Sequence, residues 1–107
     1  MISTGEDENG WSRLLLTGDL DMATAPVLDD RMAELFAGAR PDRLAIDAAG
    51  LTFCDSSGVH ALLRARETAH RHGAAFVLEN PVGIVRRTLE ITGLLQVLAT
   101  ASHAERP

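Results

Sequence analysis

Leu51-Thr52-Phe53-Cys54-Asp55-Ser56-Ser57-Gly58 decides how this chain is read. An apolar stretch runs into an acid, two hydroxyls and a glycine, and a helical pattern starts at Val59. The two serines are thereby placed at the first turn of a helix, where backbone N–H groups lack partners within the helix. Free donors and the positive end of the dipole also favour a phosphate there. A serine so placed can cap the helix, accept a phosphoryl group, or do each in turn. Taken alone, the tetrapeptide Asp55-Ser56-Ser57-Gly58 reads as an ordinary cap, with Asp55 a second candidate for that role.

On the N-terminal side, Trp11 to Thr17 reads as a strand ending at Gly18, and Met1 to Ser3 as a short strand pairing back on it. The acidic stretch Gly5 to Gly10 between them reads as a turn. Asp21-Met22-Ala23-Thr24-Ala25-Pro26 carries helix-start chemistry. Leu28, Met32, Leu35 and Phe36 then follow at helical spacing up to Gly38. Leu44-Ala45-Ile46, bounded by Pro41 and Gly50, reads as a short buried strand, and Gly50 to Ser57 as a loop. On the C-terminal side, a helix from Ser57 to about His72 has Val59, Leu62, Leu63 and Ala69 as its inner face, with Glu67 and Arg71 able to pair outside. Ala74 to Leu78 reads as a strand. Asn80-Pro81 starts a helix striped by Val82, Val85 and Leu89 and stopped at Gly93. Leu94 to Leu98 reads as a last strand, and the tail from about residue 101 as frayed. Alternating strands and helices predict an α/β fold with a largely parallel sheet, as a single domain over residues 1–107. Function in such sheets sits in loops at the carboxyl ends of strands.

Composition narrows the classes of function. The chain has 107 residues, 46% of them hydrophobic and 23% charged, which fits one folded domain with one core. A net charge of −5, with ten cations (all arginine) spread along the chain, argues against nucleic acid or an anionic membrane as partner. One cysteine excludes an internal disulfide, and neither a secretory pattern nor a membrane-length apolar run is present. The expected location is cytoplasmic.

A hydrolase would need a base and an oxyanion hole around its serine, and the G-x-S-x-G elbow is absent. His60, three residues after Ser57, leaves a Ser–His pair conceivable, but a lone helical histidine is more often a surface or packing residue. Cys54 reads as a small buried side chain. His60, His70, His72 and His103 form no metal pattern, so no metal or cofactor is expected. Trp11 reads as a cover for the sheet edge, and Arg86 and Arg87 as exposed helix arginines.

Three stretches in order carry a family resemblance. Leu51 to Gly58 is similar to the signature of the STAS domain, of the anti-sigma factor antagonist type. Gly18-Asp19-Leu20-Asp21, followed by Thr24-Ala25, resembles that family's segment before its first helix. Arg86-Arg87-Thr88-Leu89-Glu90-Ile91-Thr92-Gly93-Leu94 resembles its late helix and the turn after it. The similarity runs from about Leu14 to Leu98. It implies a small mixed, mostly parallel sheet with helices packed mainly on one face. It also implies a bacterial regulatory role by partner switching: binding an anti-sigma factor that is a serine kinase, so that transcription by the sigma factor is released. The phosphoacceptor, the second serine of the motif, maps to Ser57, and a phosphatase would reset it. Asp21, Met22, Thr24, Asp55, Ser56, Ser57, Gly58 and Val59 are the expected partner-binding residues. Ser56 keeps the capping reading, and the Gly58 and Val59 amides are expected to meet a phosphate. Gly58 either admits a partner's backbone or eases the strand-to-helix turn. The first strand looks abbreviated against the family, and its last helix has little sequence to form it. The main alternative is a STAS module of a transport or lipid-transport complex, and the second a small serine hydrolase.

Overall fold

A computed structural model describes residues 1–8 and 10–102. Four strands and four helices follow in the order β1 (Ile2–Glu8), β2 (Trp11–Leu20), α1 (Ala25–Ala37), β3 (Arg43–Cys54), α2 (Ser56–Arg71), β4 (Ala75–Glu79), α3 (Gly83–Ile91) and α4 (Leu95–Ala99). The sheet order is β1-β2-β3-β4; β1 runs antiparallel to β2, and the β2–β3 and β3–β4 pairs are parallel. The sheet is thus mixed and mostly parallel, as expected. Each parallel pair is joined by a helix, because a crossover must carry the chain back to the start of the next strand.

Leucines set the sheet's inner face. Leu14, Leu16 and Leu20 of β2 join Leu44, Ile46, Leu51 and Cys54 of β3 and Phe76 and Leu78 of β4 in one buried cluster. Helices cover it with Leu28, Met32 and Phe36 of α1, Leu62 of α2, Val85 and Leu89 of α3, and Leu95 and Leu98 of α4. Among the described residues no helix covers the opposite face of the sheet. There the Arg13 guanidinium on β2 reaches across β3 to the Glu79 carboxylate on β4, with Nε at 2.8 Å and Nη2 at 3.1 Å.

Five expectations change. The first strand is not abbreviated: it extends from Ile2 to Glu8, through most of the stretch read as a turn. Trp11 therefore lies on an inner strand, since β1 forms the edge. β2 continues beyond Gly18 to Leu20. Gly18 adopts φ +80°, and the register shifts between it and Asp19, a bulge that glycine tolerates without strain. β3 is one strand of twelve residues, so Gly50–Cys54 is strand and not loop. Finally, residues 94–98 are not a strand. Leu95 and Leu98 stand three apart and are both buried, which suits the short helix α4.

Smaller departures follow the same physics. Leu63 is only partly buried and Val82 is exposed, just ahead of α3. Arg71 donates to the Thr68 hydroxyl at 3.3 Å. The backbone of Ser102 exchanges both hydrogen bonds with Phe76, extending the sheet past β4 by one residue pair. His103 and the rest of the tail lie outside the described residues. Among the described residues no helix is long and apolar enough to cross a membrane.

Candidate functional site

The carboxyl ends of β2 and β3 lie side by side, with Leu20 and Cys54 as register partners. Two loops start there. The first is folded by its own side chains. Asp21 Oδ1 accepts from the amides of Ala23 (3.0 Å) and Thr24 (3.1 Å), while the Thr24 hydroxyl donates to the Asp19 carbonyl at 2.8 Å. These local bonds satisfy the turn and leave Met22 77% exposed at its tip.

The second turn is a single residue. Asp55 is the N-cap of α2, and its Oδ1 accepts from the Gly58 amide at 3.0 Å. Its carbonyl accepts from the Val59 amide at 2.9 Å, and its own amide donates to the Leu20 carbonyl at 3.4 Å. This corrects two expectations. Ser56 is not the cap; it is the first helical residue and is exposed. The amides of Gly58 and Val59 are not free for a phosphate, because Asp55 occupies both.

Gly58 is where α2 touches the end of β2. A Cβ there would collide with the Leu20 carbonyl oxygen and stand 2.8 Å from Cys54 Sγ. The backbone that needs this space belongs to the chain itself, so the turn-forming reading of Gly58 has direct support. Gly58 and Val59 are both buried, so the Val59 side chain is part of the core and not of a docking surface. Cys54 is buried too. Burial first, and the neighbouring Asp55 charge second, push its thiol up to about 11, which makes it a poor nucleophile.

Ser57 is half-buried at the second helical position. Its hydroxyl has no hydrogen bond to any described residue, His60 included. It lines an open groove of about 240 Å³ together with Met22, Ala25, Pro26, Asp29, His60 and Arg64. The structure therefore brings Met22 and Ser57 to one surface. Asp21, Thr24 and Asp55 frame that surface through their turns. Sequence reasoning missed Pro26, Asp29 and Arg64. Ser57, His60 and Arg64 recur at helical spacing, which could have flagged one face; Asp29 on α1 gave no such signal. The other two described histidines are engaged elsewhere: His70 Nε2 lies 2.9 Å from the Ser102 hydroxyl, and His72 stacks on Phe36.

Comparison with known proteins gives a consistent picture. Residues 5–100 match the family described as Mlab, STAS domain. An anti-sigma factor antagonist from Mycobacterium paratuberculosis is 30% identical, with 92% of this chain and 83% of that one aligned at a TM-score of 0.68. The Bacillus cell fate determinant SpoIIAA, in its phosphorylated form, is 19% identical over 88% of this chain and 85% of that one, with a TM-score of 0.67. A sulfate transporter family protein from Wolinella succinogenes is 17% identical over 89% and 76%, with a TM-score of 0.73. The last two likenesses concern the fold alone.

Proposed function

We propose that this chain, which belongs to the STAS domain family, is an anti-sigma factor antagonist switched by phosphorylation of Ser57. One observation carries the reading: Asp55 does the capping, so the Ser57 hydroxyl is left unengaged beside exposed Met22. A capping serine would have an occupied oxygen; this one does not. The 30% identical antagonist from Mycobacterium paratuberculosis supports the same reading.

The mechanism follows from charge on a fixed surface. Asp21, Thr24 and Asp55 hold the two turns through their own hydrogen bonds, and Gly58 locks α2 against β2. Met22 presents an apolar contact for the partner, an anti-sigma factor with serine kinase activity. A phosphate on Ser57 adds about −1.5 to −2 charges at neutral pH. Like charges juxtaposed across an interface cost several kcal/mol, enough to turn tight binding into weak binding. The kinase supplies ATP and magnesium, so this chain acts by binding and needs no cofactor. A phosphatase restores the neutral serine, and the exchange takes place in the cytoplasm.

The test is capture from the native cell with wild type, Ser57→Ala and Ser57→Asp, followed by mass spectrometry of the partner and of residues 55–58. The alanine variant is expected to retain a kinase-like protein and the aspartate variant to lose it. Equal retention by all three would refute the switch. Recovery of a membrane transport complex in place of a kinase would favour the transport-module reading, for which the Wolinella protein offers likeness of fold.

A further inference from the structure

The groove beside Ser57 contains a charged pair that the switch described above does not use. Arg64 of α2 grips Asp29 of α1 with two parallel hydrogen bonds, Nε to Oδ1 and Nη2 to Oδ2, each 3.1 Å. The two side chains are 49% and 41% exposed. A pair that exposed adds little to stability, so its fixed geometry calls for another reason.

Its position supplies one. Seven residues make nearly two helical turns, so Ser57 and Arg64 share a face of α2. Helical side chains lean toward the N-terminus, which points Arg64 back toward Ser57. Both residues line the same groove. Holding Asp29 uses two of the five guanidinium N–H donors, leaving Nη1 and the second Nη2 proton without a partner among the described residues. The amides of Gly58 and Val59 are already taken by Asp55. We propose that Arg64, held in place by Asp29, is the internal counter-ion of phosphorylated Ser57.

This inference rests on the reading of Ser57 as phosphoacceptor and adds what the phosphate does once attached. A tethered guanidinium loses little freedom when it takes up the phosphate, so the pairing is preorganised. The phosphate then lies back along the groove, covering the surface between Met22 and Pro26. Arg64 offsets only one charge. Asp29 and a phosphate dianion together outweigh it, so the local field stays negative and still repels a partner.

The test places phosphoserine at position 57 of the full chain during translation, so it depends on no kinase. The phosphorus NMR resonance is then titrated against pH. In the wild type the phosphate is expected to lose its second proton at a clearly lower pH than in Arg64→Gln. Arg64→Lys, which keeps the charge without the fork, and Asp29→Glu, which keeps the carboxylate but shifts the fork, are expected to fall between. His60→Asn, which removes the other basic group on that wall, is expected to stay near wild type. Removal of the phosphate by a nonspecific phosphatase is expected to be several-fold faster in Arg64→Gln. Thermal melts of the unphosphorylated variants check that each one folds. Coincident midpoints for wild type, Arg64→Gln and Arg64→Lys would overturn the proposal, as would a displacement caused wholly by His60→Asn. An Asp29→Glu midpoint equal to wild type would overturn the tethering. Failure of any cellular kinase to modify Ser57 would instead defeat the functional reading and leave this titration as it stands.

Discussion

Gly58 presses directly against the carbonyl of Leu20, so the first turn of α2 and the end of β2 form one packed joint. Any side chain at position 58 must push them apart. Gly58→Ala is expected to destabilise the fold by roughly 3 kcal/mol or more, at the upper end of overpacking costs, because backbone yields less than a flexible side chain. Urea unfolding measures this directly. A change within about 0.5 kcal/mol, the range of ordinary surface substitutions, would mean that the joint is loose.

The division of labour between Asp55 and Ser56 is equally open to test. Asp55→Ala removes the side chain that receives the Gly58 amide and should cost about 1 kcal/mol, the usual worth of an N-cap. Asp55→Asn should retain most of it. Ser56→Ala is expected to change stability by less than about 0.5 kcal/mol. Chemical denaturation of the three variants ranks them; a larger loss for Ser56 than for Asp55 would reverse the assignment.

Met22 separates binding from folding. At 77% exposure its replacement by alanine should leave the melting temperature nearly unchanged. As an apolar anchor it should still weaken partner capture by about tenfold, corresponding to roughly 1.4 kcal/mol. Titration calorimetry with the recovered partner provides the number. Unchanged affinity would move the contact surface away from this loop.

Much of this arrangement could be read from residue order, and the remainder fails for identifiable reasons. The apolar spacings of Leu28, Met32, Leu35 and Phe36 and of Val59, Leu62 and Ala69 pointed to both crossover helices, and the Asp55–Gly58 motif marked the candidate site. Leu94 to Leu98 misled because a five-residue apolar run fits a buried strand and a short helix alike. Gly50 misled by acting as a breaker on paper, while β3 passes through it as strand. The Asp29–Arg64 and Arg13–Glu79 pairs join residues 35 and 66 positions apart. No local pattern announces contacts at such separations. The competition between Asp55 and Ser56 for the cap was visible as alternatives, and backbone geometry decided it.

The raised thiol of Cys54 gives a pH prediction. The folded state keeps the proton up to about 11, against an ordinary value of 9.0. Unfolded chains lose it first, so the unfolded state gains as pH rises above 9.0 and the stability held below that point is lost through about 11. Stability measured across this window should fall more steeply for wild type than for Cys54→Ala. Parallel profiles would show that the thiol does not contribute. Alkylation of the native protein at pH 8 should be slow for the same reason.

The helix-free side of the sheet has a practical consequence. Ser3 of β1 is exposed and pairs with Leu15, whose neighbours Leu14 and Leu16 turn into the core beneath the helices, so a probe fixed at Ser3 would leave the helical packing untouched. A fluorescent reporter at such a position could follow arrival and departure of a partner at Ser57 from behind, in real time, without standing in its way.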